Sequence, residues 1–166
     1  MLAQNSKVLY VIAAGQADNG APVMNELKRP LSRRGIAEVL TFLEDLKEHP
    51  ILLPELILCS PSLYVHQTLD LLQEVFGNID VVVKDALYAA PDYRILDLVK
   101  SLDDIFSCVM ILGELPGLKE FVTYVSKGLK TNILRPASGL KLTLDANESW
   151  HTFGPQKAHR QPLIID

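Results

Sequence analysis

The 166-residue chain is 48% hydrophobic and 22% charged, with a formal net charge of −4 at pH 7. This composition is typical of one globular domain with a buried core, so we expect residues 1–166 to form a single domain. The acidic charge disfavours nucleic acid as a partner, and no apolar run approaches the roughly 18 residues that a membrane span needs. The two cysteines lie in apolar runs without metal-type spacing to histidine, which favours reduced thiols, no metal and a cytoplasmic location.

The first half of the chain alternates between strand and helix patterns. Residues 7–15, KVLYVIAAG, are rich in β-branched and aromatic side chains and end at a glycine, which predicts a central parallel strand. After a polar loop, Ser32 is the expected N-cap of a helix. A 3.6-residue spacing predicts the apolar stripe of this helix, which comprises Ile36, Val39, Leu40, Leu43 and Leu46. Residues 55–60 predict a second strand, and Pro61 begins a second helix that ends near Gly77.

The second half continues the same alternation. Residues 79–84 and 108–113 predict a third and a fourth strand, and a helix follows Pro116. Residues 140–145, LKLTLD, alternate between apolar and polar side chains, which predicts an edge-type strand with residues 149–154 as its hairpin partner. The polar residues 155–166 are expected to be a loosely held tail outside a core of residues 7–153.

Strand–helix alternation with long crossovers predicts an α/β fold. We expect three layers, α/β/α, with a mostly parallel sheet and helices on both faces. Ligands of such sheets bind beyond the carboxyl ends of the strands. Four segments meet at that edge and should form any site, namely residues 13–18, 60–64, 88–92 and 113–117.

Five stretches of the chain carry recognisable motifs. They are LYVIAAGQA, KRPLSRRG, LILCSPSLYVHQTLDLL, LYAAPDYRIL and VMILGELPGL. In this order they resemble Arg-His-Gly-Glu-Ala, Arg-Pro-Leu-Thr-x-x-Gly, Ser-Pro-x-x-Arg-x-x-Gln-Thr, Leu-Tyr-x-Ala and Val-Gly-His-Asn-Pro-Gly-Leu of the histidine phosphatase superfamily. The resemblance covers residues 7–153 and is greatest to the small SixA-type phosphohistidine phosphatases, so it implies a phosphoglycerate mutase-like fold.

The resemblance also implies a catalytic set that this chain has replaced. In the family a histidine attacks phosphorus, while two arginines and a second histidine hold the phosphoryl oxygens. Ala13 stands at the position of the first arginine, Ala14 at that of the nucleophilic histidine, Tyr64 at that of the second arginine and Glu114 at that of the second histidine. Scaffold residues of the motifs are retained: Gly15, Pro30, Leu31, Ser60, Pro61, Gln67, Thr68, Pro116 and Gly117. We therefore expect no catalytic residue and no cofactor.

Other nucleophiles are poor substitutes. His66 follows Tyr64 by two residues, which is about 200° around a helix, so it should face away from the site and is interpreted as a surface or packing residue. His49 is interpreted as a helix C-terminal residue near Pro50, and His159 lies in the expected tail. His151 follows Trp150 in an alternating strand pattern, which does not favour a catalytic role. Cys59 ends a strand before a helix, but a cysteine phosphatase needs an arginine six residues later, where this chain has Val65.

Glu114 allows two interpretations. It is either a solvent-facing carboxylate near the N-terminus of the helix after Pro116, or a ligand for a cationic or hydroxyl-bearing partner, together with Gln16 and Tyr64. The candidate ligand-binding residues are Gly15, Gln16, Tyr64, Asp92 and Glu114.

Three functions are compatible with this pattern. The first is a non-catalytic binding or regulatory module for a protein or small-molecule ligand. The second is a phosphatase or other hydrolase that uses relocated residues of the same cleft. The third is an oligomerising subunit that associates through an exposed edge near residues 140–153.

Overall fold

A six-stranded sheet forms the centre of the protein, as seen in a computed structural model that describes residues 6–128 and 134–163. The strands are β1 (Val8–Ala13), β2 (Leu56–Cys59), β3 (Asp80–Val83), β4 (Cys108–Gly113), β5 (Ser138–Leu144) and β6 (Ala158–Pro162). The helices are α1 (Arg33–Glu48), α2 (Leu63–Leu71), α3 (Gln73–Phe76), α4 (Asp92–Lys100) and α5 (Gly117–Val125). Within the described ranges, no helix is both long and apolar enough to cross a membrane.

The strand order β3-β2-β4-β1-β5-β6 places β1 in the interior of the sheet. Strands β3, β2, β4 and β1 pair in parallel, whereas β5 and β6 pair in antiparallel fashion. The predicted α/β class, the mostly parallel sheet and the central position of the first strand are confirmed.

Side chains of β1 alternate between two buried clusters on opposite faces of the sheet. Leu9 and Val11 pack with residues of α4 and α5, whereas Tyr10 and Ile12 pack with residues of α1 and α2. This alternation is the period of two that a strand imposes. Helices therefore cover both faces, and the three-layer arrangement is confirmed.

Helix α1 begins at the predicted residue but turns a different face to the sheet. Ser32 Oγ accepts a hydrogen bond from the Gly35 N–H at 2.9 Å, which caps the helix. Phe42 is buried, whereas Ile36 and Leu40 are 39% and 44% exposed, so the predicted stripe is wrong at these positions. The reason is Gly35, because a Cβ there would lie 2.2 Å from a carbonyl oxygen of the loop after β1. The helix is rotated so that this glycine lies against the loop. Ile36 and Leu40 therefore lie at the side of the helix, where they are partly exposed.

The C-terminal region differs from the prediction. Residues 149–154 do not pair with β5; Trp150–Thr152 form a 3-10 turn, and the fully buried Trp150 donates its indole N–H to the Phe106 carbonyl oxygen at 2.8 Å. The partner of β5 is β6, which lies in the segment expected to be a loose tail. The polar sequence of β6 reflects its place at the sheet edge, where most of its residues are not buried. Residues 164–166 of the predicted tail lie outside the described residues.

Strand β5 is consequently not an edge. It lies between β1 and β6, and the surface near residues 140–153 that was a candidate for oligomerisation is covered on its outer side by β6. The exposed strand at the other end of the sheet is β3.

Candidate functional site

The carboxyl ends of β1, β2 and β4 lie side by side. The register pairs Ala13 with Gly113 and Cys59 with Leu112. Just beyond β2, the Ser60 amide donates to the Leu112 carbonyl oxygen at 3.1 Å. The segments that follow these three strands are therefore neighbours, at the edge where α/β sheets bind their ligands.

Glu114, the first residue after β4, is the centre of a hydrogen-bond cluster. The hydroxyls of Ser60 and Ser62 donate to its Oε1 at 2.6 Å and 3.2 Å. The Tyr64 hydroxyl donates to its Oε2 at 3.0 Å, and the Ala89 amide lies 3.4 Å from Oε1. We call these five residues the Glu114 cluster. Four donors from two segments, three of them within residues 60–64, converge on one half-buried carboxylate, an arrangement that suits an anion.

Tyr64 is a fixed donor in this cluster. Burial raises the pKa of its hydroxyl above the usual value, and the charge of Glu114, the hydrogen bond to it and the nearby Tyr88 raise that pKa further. The Tyr64 hydroxyl therefore keeps its proton at neutral pH. Its carbonyl oxygen accepts a hydrogen bond from Thr68 Oγ1 at 2.8 Å, and Thr68 Oγ1 accepts one from the Gly15 N–H at 3.2 Å. The loop after β1 is thus tied to α2.

The fourth segment enters the site through its backbone. Ala89 has a φ of +45°, in the left-handed region that non-glycine residues seldom adopt and that surrounding structure must hold. The carbonyl oxygen of the next residue, Ala90, packs so closely against Gly117 that a Cβ there would lie 1.9 Å from it. This contact with the first residue of α5 helps to hold the Ala89 amide beside Glu114.

Ala13 and Ala14 bring no polar side chain to the site. They are 0% and 5% exposed, and their methyl groups pack in the two opposite core clusters. Gly15 follows, and a Cβ there would lie 2.7 Å from Val39 Cγ2 and 2.8 Å from the Gly35 carbonyl oxygen. The first site loop is therefore closely packed, and alanine stands where the resemblance places arginine and histidine.

The other candidate residues lie at this end of the molecule with different contacts. The carbonyl oxygen of Gln16 accepts hydrogen bonds from the amide and hydroxyl of the α1 N-cap. Asp92 Oδ1 accepts a hydrogen bond from the Tyr93 amide at 2.8 Å, at the start of α4. In the described part of the chain, no hydrogen bond joins the side chains of Gln16, Asp92 or His66 to the Glu114 cluster. Of the candidate ligand-binding residues, Tyr64 and Glu114 are the pair in direct contact.

The sequence identifies Tyr64 and Glu114 as site residues, but it does not predict which other groups donate hydrogen bonds to Glu114. Ser60 is expected only as a scaffold residue, and Ser62 carries no prediction. Two serines flanking a proline at the end of a buried strand are the signal that could have indicated a pair of hydroxyl donors. The amide of Ala89 has no such signal, because a backbone donor does not depend on residue type.

Cys59 lies beside the cluster as an unreactive thiol. Burial raises its pKa from 9.0 to about 12, and the charge of Asp70 adds to the effect. The thiol is fully buried and donates to the Ser60 carbonyl oxygen at 3.4 Å. A buried protonated thiol is a poor nucleophile, which supports a packing role.

The arrangement of strands and helices is similar to that of several solved phosphatases. A protein named phosphohistidine phosphatase SixA from Nakamurella multipartitia gives a TM-score of 0.77 at 16% identity over 94% of each chain. A protein histidine phosphatase SixA complexed with tungstate gives 0.73 at 18% identity over 94% of this chain and 97% of that one. The SixA protein of Agrobacterium tumefaciens gives 0.71 at 22% identity over 82% and 91%. The fold is that of the histidine phosphatases.

The histidine phosphatase fold accounts for nearly the whole chain, which agrees with the extent of the sequence resemblance. No protein-family model matches the sequence, and no curated protein sequence is significantly similar to it. The likeness to the solved structures is therefore one of backbone arrangement. The chemistry of this chain depends on its own residues at the strand ends.

We expect Tyr64→Phe to lower the unfolding free energy at pH 7 by about 1 kcal/mol, because a half-buried hydrogen bond to a carboxylate is lost. The pKa of Tyr64 is higher in the folded than in the unfolded chain, so the stability it contributes is complete below pH 10.0 and is lost as the pH rises above that value. The variant should thus also lose less stability than the wild type on going above pH 10.0. Urea unfolding at several pH values measures both effects.

The matched control is Tyr93→Phe, since Tyr93 is 64% exposed. It should unfold like the wild type at every pH. Equal behaviour of the two variants would contradict the role given to the Tyr64 hydroxyl.

Proposed function

We propose that this protein is a non-catalytic member of the histidine phosphatase fold that acts as a binding or regulatory module. The observation that carries the proposal is the Glu114 cluster. Its donors lie at the strand ends, where the resemblance places the phosphoryl group of a substrate, and they are already bonded to a carboxylate of the same chain. Glu114 thus serves as an internal anion in place of a phosphoryl oxygen.

The loss of activity follows from charge and from the missing nucleophile. An alanine methyl group at position 14 cannot attack phosphorus, and positions 13 and 64 supply no guanidinium for the developing charge. A phosphate oxygen about 4 Å from the Glu114 carboxylate would experience a repulsion of about 4 kcal/mol at an effective dielectric constant of 20. The site should therefore exclude phosphate monoesters rather than bind them without turnover.

The same charge indicates which ligands remain possible. A cationic or hydroxyl-bearing group on a protein or small molecule can approach a carboxylate that phosphate cannot. A cytoplasmic location agrees with the two free, buried cysteines.

We expect no hydrolysis of an aryl phosphate or of a phosphohistidine peptide above the rate in buffer, because no residue replaces the missing nucleophile. A steady-state assay with repurified protein measures this, and His66→Ala serves as the matched variant. Turnover that survives repurification and is abolished by His66→Ala would overturn the proposal and favour a hydrolase with relocated residues.

A further inference from the structure

Strand β3 is an unprotected edge of the sheet. It pairs with β2 on one side, and all four of its residues are exposed. Val81, Val82 and Val83 are 41%, 39% and 46% exposed, so three consecutive valines on alternating faces contact solvent. An exposed apolar edge strand is a template for pairing with another strand.

The free edge of β3 offers a defined set of backbone groups. The Lys84 amide donates to the Cys59 carbonyl oxygen at 2.9 Å, and its φ and ψ of −118° and 112° continue the extended conformation of the strand. Residues two apart in a strand direct their backbone N–H and C=O groups to the same neighbouring strand. Since Lys84 bonds to β2, Val82 also directs its backbone groups to β2. Val81 and Val83 therefore direct their N–H and C=O groups outward.

The sequence of this edge is complementary to itself. Residues 80–84 read Asp-Val-Val-Val-Lys, so two copies in antiparallel register about Val82 would place Asp80 of each copy opposite Lys84 of the other. In the described part of the chain, neither Asp80 nor Lys84 has an ion-pair partner within 4.0 Å. The same register places Val81 of each copy opposite Val83 of the other as a hydrogen-bonded pair, which is the pairing that their outward N–H and C=O groups require.

We propose that β3 pairs in antiparallel fashion with β3 of a second copy of this chain, joining two six-stranded sheets about a twofold axis at Val82. Val82 of one copy then lies opposite Val82 of the other in a non-hydrogen-bonded pair, where cross-strand side chains approach most closely. One Asp80–Lys84 pair flanks it on either side, on the same face of the joined sheet. The other end of the sheet lacks this pattern, since β6 reads Ala-His-Arg-Gln-Pro and ends at a proline without an amide hydrogen.

Sedimentation velocity over a wide range of protein concentrations tests the proposal with charge variants. The wild type should show a reversible monomer–dimer equilibrium. Asp80→Lys and Lys84→Asp should each weaken the dimer by roughly tenfold or more, because each replaces two attractive pairs by two repulsive ones. The double variant Asp80→Lys/Lys84→Asp restores opposite charges across the axis and should dimerise like the wild type. An equimolar mixture of the two single variants should form a heterodimer.

Two results would overturn the proposal. One is a wild type that is monomeric at every concentration, which is also the result expected if a strand of another protein is the occupant of this edge. The other is a dimer that both single variants form as strongly as the wild type. Circular dichroism melting of each variant verifies folding, and the double variant keeps the test decisive if a single variant is unstable.

Discussion

Gly117→Ala is expected to lower the unfolding free energy by about 3 kcal/mol or more, at the upper end of the cost of overpacking a core. The new Cβ would lie 1.9 Å from the carbonyl oxygen of Ala90, a backbone atom that cannot move without the loop before α4. A change of this size lowers the melting temperature of a domain this long by roughly 6–12 °C. Differential scanning calorimetry measures it.

The matched control for this change is Gly154→Ala. A Cβ on Gly154 meets no heavy atom within 4 Å, so the variant should lie within about 0.5 kcal/mol of the wild type. Equal stability of the two variants would mean that α4 and α5 are not packed as closely as the Ala90–Gly117 contact indicates. The Ala89 amide would then also lack its support beside Glu114.

The double variant Tyr64→Arg/Glu114→Ala is expected to bind an oxyanion such as tungstate with a millimolar or tighter dissociation constant. The variant removes the internal carboxylate and leaves the Ser60 and Ser62 hydroxyls and the Ala89 amide free to donate, and it adds a guanidinium at a half-buried position. Charge-assisted hydrogen bonds contribute roughly 1.5–3 kcal/mol each, and a millimolar constant requires about 4 kcal/mol in total. Isothermal titration calorimetry measures the binding.

Tyr64→Arg alone is the control for this variant. Its guanidinium should pair with the Glu114 carboxylate, so the added cation is neutralised within the chain and no oxyanion should bind. Tungstate binding by the single variant, or its absence in a folded double variant, would show that Glu114 does not occupy the anion position.

Much of the fold could be predicted because its central strands are continuous apolar runs. VLYVIA, LILC and CVMILG are continuous apolar runs, which is typical of strands buried on both faces of a parallel sheet. Strand β6 could not be predicted, because an edge strand needs no apolar alternation and AHRQP has none. The face of α1 depends on a backbone contact of Gly35 with a distant loop, which hydrophobic spacing does not record.

The candidate site, like the fold, could be predicted only in part. The sequence resemblance is enough to single out Ala13, Ala14, Tyr64 and Glu114, which it places at the positions of the arginines and histidines of the histidine phosphatases. The hydrogen bonds of Glu114 could not be predicted, because its partners come from segments up to 54 residues away and include a backbone amide. From the sequence, a carboxylate after a strand is compatible with a solvent-facing position or with a ligand-binding one, and the hydrogen-bond donors of Glu114 are not apparent.

Titration of the wild-type protein with tungstate tests the central claim most directly, namely that an internal carboxylate occupies the oxyanion position. Calorimetry should detect no saturable binding at millimolar tungstate, while the double variant Tyr64→Arg/Glu114→Ala binds in the same experiment. Saturable binding of tungstate to the wild type, competed by inorganic phosphate, would contradict the account and show that the strand ends still hold a working anion site.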